Sequence, residues 1–379
     1  MEEEHRKVNV VKNLNIMIKP ASSLCNLKCK YCFYAEVSEM REVSFCGRMT
    51  VETMERILSQ VEADLQPMDR LHIAFQGGEP TLAGLPFFEA FVSRVKGGKQ
   101  GIRVSYALQT NGILLDEAWC RFLKENHFLV GLSLDILPEC HDAARVDGEN
   151  RGTYRAVMEK MQLLNRFGVE YNILCTLTNA VARHPKQVWN WLKKENIPYV
   201  QFTPCLGELD GVDRSPYALT PERFATFYKQ LFAYWYEDYQ KGKYRSVKFF
   251  DDAVNLLMYG KPTSCGMNGA CAPQLVIEAD GSAYPCDFYC LDTYCLGNLT
   301  EQRPTVLLQT ETVQKFIQRA HSRPKLCETC RYAVFCGGSC KRMQKEICCS
   351  GEDTYCGYKD FLEQWGTTLL EIADRHRRK

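Results

Sequence analysis

The spacing of its cysteines constrains this chain more than any other feature. Twenty cysteines occur in 379 residues, and eleven of them fall in spaced groups. The first group, Cys25-x3-Cys29-x2-Cys32, lies on one short stretch; the rest crowd the last third as Cys265, Cys271-x9-Gly281-x4-Cys286, Cys327-x2-Cys330-x5-Cys336-x3-Cys340 and Cys356. Whether such thiols form disulfides or bind metal depends on the compartment. The start, Met1-Glu2-Glu3-Glu4-His5-Arg6-Lys7, lacks the apolar run of a secretion signal, and no stretch holds eighteen uninterrupted apolar residues. A cytoplasmic protein with no membrane partner is therefore expected. A reducing compartment disfavours structural disulfides and leaves metal binding or thiol chemistry as the main uses of cysteine. A secreted disulfide scaffold also conflicts with 45% apolar residues, enough for a large core. With 47 Lys and Arg against 46 Asp and Glu there is no basic footprint, so no nucleic-acid partner is expected.

The first two-thirds of the chain alternates short apolar runs with amphipathic stretches, the pattern of βα units in an α/β fold. Six strands are expected at Leu14–Ile18, Leu71–Phe75, Ile102–Leu108, Phe128–Leu134, Tyr171–Leu177 and Tyr199–Phe202, with helices between them such as Val51–Leu65 and Thr153–Phe167. Right-handed crossovers would wind these into a partial (βα)6, TIM-like barrel spanning residues 1–245. A helix over Glu222–Lys241, with Phe224, Phe227, Leu231 and Trp235 at helical spacing, closes it, and its aromatic stripe is expected to be core. From about Ser246 the character changes to dense cysteines and turns. Residues 246–360 read as a second, cluster-bearing domain in which only Val313–Ala320 and Lys359–Arg377 look helical, leaving 361–379 as a C-terminal helix.

In such barrels the chemistry sits just past the strand C-termini. The first cysteine group follows the first strand directly. Three thiolates can hold three irons of a [4Fe-4S] cubane and leave the fourth iron open, whereas an electron-transfer cluster usually takes four cysteines and a structural zinc site four ligands. The amino and carboxylate groups of S-adenosylmethionine suit that open iron. A zinc loop borrowing a fourth ligand is the alternative.

Cys25-x3-Cys29-x2-Cys32 followed by Phe33 resembles the signature of the radical S-adenosylmethionine superfamily. Further stretches extend the resemblance: Gln76-Gly77-Gly78-Glu79-Pro80 after the second strand, Gln109-Thr110-Asn111-Gly112 after the third, and Gly131-Leu132-Ser133-Leu134-Asp135 in the fourth. The resemblance implies that Phe33, Gln76, Gly77, Gly78, Glu79, Ser133 and Arg145 bind S-adenosylmethionine, with the Arg145 fork suited to its carboxylate. It places Tyr34, Gln76 and Thr110 at the substrate.

The later cysteines match the seven-cysteine SPASM pattern of auxiliary-cluster domains, and Cys265 makes eight thiols, enough for two further [4Fe-4S] clusters. By resemblance, Cys265, Cys271, Cys286 and Cys340 hold one cluster and Cys327, Cys330, Cys336 and Cys356 the other, three clusters in all. Two zinc ribbons remain the alternative on spacing alone. Cys348 and Cys349 compete as ligands near Cys356, as do Cys290 and Cys295 near Cys286. The remaining cysteines are expected to be mostly buried small hydrophobes.

Over nearly its whole length the chain is most similar to anaerobic sulfatase-maturating enzymes, on stretches such as Ile18-Lys19-Pro20-Ala21-Ser22-Ser23, Ser264-Cys265-Gly266-Met267-Asn268-Gly269 and Tyr284-Pro285-Cys286-Asp287-Phe288-Tyr289. That resemblance implies oxygen-independent oxidation of a Cys or Ser to Cα-formylglycine, within a Cys/Ser-x-Pro-x-Arg segment of an unfolded or nascent sulfatase. A 5′-deoxyadenosyl radical takes a hydrogen atom from Cβ, Asp287 is the catalytic base, an auxiliary cluster accepts the electron, and a flavodoxin- or ferredoxin-type protein is the reductant. One rival is a ribosomal-peptide maturase forming thioethers or epimerised residues. Such enzymes commonly carry an N-terminal leader-binding domain, and about a dozen residues precede the first strand here. The other rival, a non-catalytic iron–sulfur or zinc-binding electron carrier, leaves the three-cysteine loop and the Gly-rich loops unexplained.

Overall fold

The computed structural model describes residues 12–209, 215–261, 263–318, 323–349 and 354–378; the N-terminal stretch and, of the anticipated helices, Arg319, Ala320 and Lys379 lie outside them. Six strands, β1 (Asn13–Ile18), β2 (Arg70–Phe75), β3 (Arg103–Thr110), β4 (Phe128–Ser133), β5 (Tyr171–Leu177) and β6 (Tyr199–Pro204), run in parallel and in sequence order. Alternation sets their faces: Leu14, Ile16 and Ile18 of β1 point into the core, as do Leu71, Ile73 and Phe75 of β2. Each crossover carries a helix, among them Val51–Asp64 and Tyr154–Phe167. The Thr50 side chain caps the first by accepting from Thr53 N at 3.0 Å. The open (βα)6 arrangement matches the expected partial barrel.

Some boundaries differ from the sequence reading. β3 runs through Thr110, so Gln109 and Thr110 end a strand instead of opening a loop, and β4 stops at Ser133. The region after Ser246 is more regular than its turn-rich composition suggests. A helix over Lys248–Tyr259 was missed; it buries Phe250, Ala253 and Leu256 and ends in a left-handed Gly260. The i, i+3, i+6 apolar spacing was legible there.

The cysteine-rich part also contributes strands. β7 (Ser246–Val247) adds to β6 in parallel, and β8 (Leu275–Ile277) pairs in parallel with β1 at the other edge. β9 (Ser282–Tyr284) and β10 (Gly297–Asn298) follow antiparallel, giving one ten-stranded sheet among the described residues. These strands have two or three residues, too short for period to reveal, and tertiary pairing decides them.

On the outside, the helix Pro221–Gln240 packs its aromatic stripe against the helices Lys248–Tyr259 and Gly357–Arg377. Ring centroids stand 4.3 Å apart for Tyr228–Phe249, 4.9 Å for Phe232–Phe250 and 4.8 Å for Phe232–Trp365. Each such pair adds about 0.5–1.5 kcal/mol beyond its area burial, so this seam binds the C-terminal helix to the barrel.

Candidate functional site

The loops past β1–β6 surround one cavity of about 520 Å³. Cys25, Cys29 and Cys32 line it, with Gln76, Gly77, Gly78 and Glu79 facing them. Phe33, Tyr34, Thr110, Ser133 and Arg145 line it too, and from the cysteine-rich half so do Asp287, Cys265 and Cys340. Residues more than two hundred positions apart thus share one chamber.

The first thiol loop is held tightly from beneath. Gly78, at φ +48°, lies so close to the Leu24 carbonyl that a Cβ would stand 2.2 Å from its oxygen. Glu79 N donates to the same oxygen at 2.8 Å. The Glu79 carboxylate is buried and saturated by Thr81 N and Oγ1, Thr110 Oγ1 at 2.7 Å and Asn111 N at 2.8 Å. Thr110 therefore commits its hydroxyl donor to Glu79. Burial pushes the Cys29 thiol up to about 11, with the Arg145 guanidinium opposing and the Cys32 thiol adding to the rise. Arg145 is buried beside this loop, its Nε 3.2 Å from Asp135 Oδ2. Asp135 also accepts from the Tyr31 hydroxyl and from Thr176 N.

The opposite wall is built around Asp287, which is buried. Gln76 Nε2 donates to its Oδ2 at 2.6 Å, and Lys19 Nζ to its Oδ1 at 2.5 Å. Burial alone lowers the Lys19 ammonium, but Asp287, Cys290 and Glu278 outweigh it and hold it above its ordinary value. Tyr34 lies beneath: its ring is 3.7 Å from Lys19 Nζ, and its hydroxyl donates to Glu278, which also takes Arg41 Nη1 at 2.8 Å. Lys19, Glu278 and Arg41 were missed as a group. Lys19 stands in a quoted motif, but nothing in the sequence links it to a carboxylate 268 residues away.

The remaining thiols gather in two sets, and no disulfide links the described cysteines. Burial raises Cys286, with Cys340 and Cys265 adding to it, and raises Cys271, with the same two thiols adding against Lys341. Burial pushes Cys336 up to about 11, with Cys356, Cys327 and Cys330 adding. Cys348 and Cys349 are buried and hydrogen-bond the Cys356 sulfur, the first of them chiefly holding that thiol down to about 6. Cys290 lies 3.6 Å behind the Cys286 carbonyl. Of the nine unassigned cysteines, Cys120, Cys175, Cys205, Cys290, Cys348 and Cys349 are buried, Cys46 and Cys140 are half-buried, and Cys295 is exposed. No three donors among the described residues close on the position of a single metal ion. Sets of three, four and four soft thiol donors, with one cysteine-bearing loop opening into a chamber, fit iron–sulfur cages chemically.

The Radical SAM superfamily profile matches residues 20–183, and the SPASM iron-sulfur cluster-binding domain matches residues 269–331. A cysteine-type anaerobic sulfatase-maturating enzyme of Clostridium novyi (strain NT) is 38% identical over 96% of this chain and 98% of its own length. One from Clostridium perfringens (strain 13 / Type A) is 40% identical over 95% of this chain and 98% of its own. The chain belongs to the anaerobic sulfatase-maturating enzymes. A serine-type member of this family, from Bacteroides thetaiotaomicron, is 28% identical over 90% of this chain and 86% of its own. The solved structure of native anSMEcpe with bound AdoMet and Cp18Cys peptide superposes with a TM-score of 0.88 at 38% identity, covering 96% of this chain and 99% of that one. Streptococcus suis SuiB bound to precursor peptide SuiA, at 17% identity and a TM-score of 0.61, shares the fold. Among the described residues no helix is long and apolar enough to cross a membrane.

Proposed function

We propose that this enzyme converts a cysteine in a Cys-x-Pro-x-Arg segment of a sulfatase polypeptide to Cα-formylglycine. The observation that carries the reading is the shared cavity: the three-thiol loop, the glycine loop and the Asp287 carboxylate all open into one chamber. Identity of 38–40% to cysteine-type enzymes, against 28–29% to serine-type ones, supports cysteine as the target.

Cys25, Cys29 and Cys32 would hold the first [4Fe-4S] cluster, and the two later sets the auxiliary clusters. When bound, S-adenosylmethionine and these clusters supply hydrogen-atom abstraction and a one-electron sink. The polypeptide has three other tasks. Gly77 and Gly78, their side-chain positions turned towards Lys19 and the Leu24 carbonyl, offer the cofactor's polar end backbone atoms, and Ser133 and Arg145 face the same space. Phe33, Tyr34 and Phe288 wall the chamber beside Asp287, the Phe33 and Phe288 rings packing at 4.8 Å. Asp287, held by Gln76, takes the proton.

The balance is simple. Loss of a Cβ hydrogen atom leaves a carbon radical beside S–H; the thiol proton goes to Asp287 and one electron leaves, giving a thioaldehyde. Water then releases hydrogen sulfide and forms the aldehyde. The reaction takes place in the cytoplasm on a nascent or unfolded sulfatase, with electrons from a flavodoxin- or ferredoxin-type protein.

The test is Asp287→Asn, reconstituted anaerobically and given S-adenosylmethionine with a Cys-x-Pro-x-Arg peptide. Full iron content and normal 5′-deoxyadenosine with formylglycine down on the order of 10²-fold, the scale for removing a positioned base, supports the reading. Near-normal formylglycine assigns the proton to another group.

A further inference from the structure

A lysine is almost never fully buried unless it is paired, and an ammonium removed from water needs close compensation. Lys19 has no solvent exposure, and among the described residues it is the one charged residue in the group of largest fully buried side chains. Its location is set twice by the backbone. Lys19 follows β1 directly, and its N–H donates to Ile277 O at 2.8 Å, continuing the register in which Ile18 pairs with Ile277 of β8. That pairing brings Glu278 and Asp287, carried by the cysteine-rich half, to a lysine of the barrel.

The glycine loop independently makes room for it. Gly77 has φ +96°, and a Cβ built there would stand 2.6 Å from Lys19 Cγ, 2.8 Å from Cδ and 2.9 Å from Nζ. The stem and head of the lysine thus run through the space that a side chain at position 77 would take. The ammonium then meets Asp287 Oδ1 at 2.5 Å and the Tyr34 ring at 3.7 Å. Arg41 serves the second buried carboxylate, Glu278, which leaves Lys19 to Asp287.

We propose that Lys19 is a positioning residue for formylglycine formation: its ammonium fixes one oxygen of Asp287 while Gln76 fixes the other, so that the carboxylate faces the target S–H. This rests on the reading of Asp287 as the proton acceptor. A carboxylate has about four lone-pair directions, so one bond to each oxygen clamps its plane and leaves others for substrate. With Gln76 alone the group pivots about its Cβ–Cγ bond. Lys19 acts through Asp287 and acts after hydrogen-atom abstraction, so its loss uncouples product from cofactor cleavage.

The experiment compares wild type, Lys19→Met, Asp287→Asn and the double variant as anaerobically reconstituted holoenzymes. Iron, 5′-deoxyadenosine and peptide formylglycine are measured on each preparation. The expected result is unchanged iron and 5′-deoxyadenosine in Lys19→Met, with formylglycine per 5′-deoxyadenosine lowered on the order of tenfold or more, since misplacing a reacting group by about 1 Å costs up to 10²-fold. The double variant should be no worse than Asp287→Asn, a non-additivity that general loss of structure does not produce. A Lys19→Met enzyme with wild-type coupling overturns the proposal, as does a double variant in which the two losses multiply. If Asp287→Asn itself keeps its formylglycine, the base assignment fails; if it loses product and Lys19→Met does not, the Lys19 proposal fails alone. Should Lys19→Met not fold, Lys19→Gln, which keeps a donor without the charge, takes its place. Its iron content and 5′-deoxyadenosine falling together with product would show a structural lysine and refute the positioning role.

Discussion

Replacing Gly78 by alanine tests how the glycine loop and the first thiol loop are locked together. The new Cβ would stand 2.2 Å from Leu24 O, 2.8 Å from Ser22 O and 2.9 Å from Leu24 C, all backbone atoms that no rotamer change can move away. Real Cβ atoms essentially never approach closer than 3.0 Å, so the Leu24 carbonyl must retreat by about 0.8 Å, carrying Cys25 with it. The same carbonyl accepts Glu79 N at 2.8 Å, a hydrogen bond worth about 1 kcal/mol, and the left-handed φ of +48° costs a non-glycine residue about 1–2 kcal/mol more. Together these amount to about 2–3 kcal/mol at the glycine loop, or on the order of 10²-fold in rate at about 1.4 kcal/mol per tenfold. The assay is initial 5′-deoxyadenosine formation by anaerobically reconstituted enzyme under strong reductant, with iron and sulfide measured alongside. Gly148→Ala is the control: nothing lies within 4 Å of its Cβ position, and it should behave as wild type. A Gly78→Ala enzyme with wild-type iron content and cofactor cleavage would refute the close-approach argument.

Three further outcomes follow from the geometry. Arg41→Met leaves the buried Glu278 carboxylate without its cation and should lower stability by about 3–5 kcal/mol, while Arg41→Met with Glu278→Leu should recover most of it, as read by thermal or urea unfolding. His141 is buried among Asp135 N, Thr153 and Arg145, and burial, with Arg145 adding, lowers its pKa from 6.5 to about 3. The unfolded chain therefore binds more protons between these values, and stability is lost as pH falls from about 6.5 towards 3; His141→Asn should flatten that slope in urea midpoints measured across the range. Replacing Cys25, Cys29 and Cys32 together by alanine should remove about four irons of about twelve and abolish 5′-deoxyadenosine formation, and retained cleavage would sink the assignment.

The barrel was legible because its strands are long enough to show a period. Leu14, Ile16 and Ile18, or Leu71, Ile73 and Phe75, alternate inward, and Gly-rich loops follow where chemistry belongs in a parallel barrel. The helix Lys248–Tyr259 was equally periodic but lies where cysteines and turns dominate the impression. The strands β7–β10 were not legible: two or three residues carry no period, and their pairing with β6 and β1 is a tertiary choice. At the site, the thiol loop and the glycine loop could be read locally, since each is a contiguous motif. The division of the later eight thiols came only from resemblance, because spacing does not say which cysteines meet across a folded loop. The Lys19–Asp287 pair was invisible for the same reason. A buried ion pair leaves no local signature, and the one local hint, a glycine at position 77, is part of the Gln76-Gly77-Gly78-Glu79 motif and reads as belonging to it.

The most direct test of the central claim is incubation of the reconstituted enzyme with S-adenosylmethionine and a Cys-x-Pro-x-Arg peptide deuterated at the cysteine Cβ, followed by mass spectrometry of both products. The account predicts a formylglycine peptide and one deuterium in each 5′-deoxyadenosine. Abundant 5′-deoxyadenosine without deuterium, and a peptide with its cysteine unchanged, would contradict it.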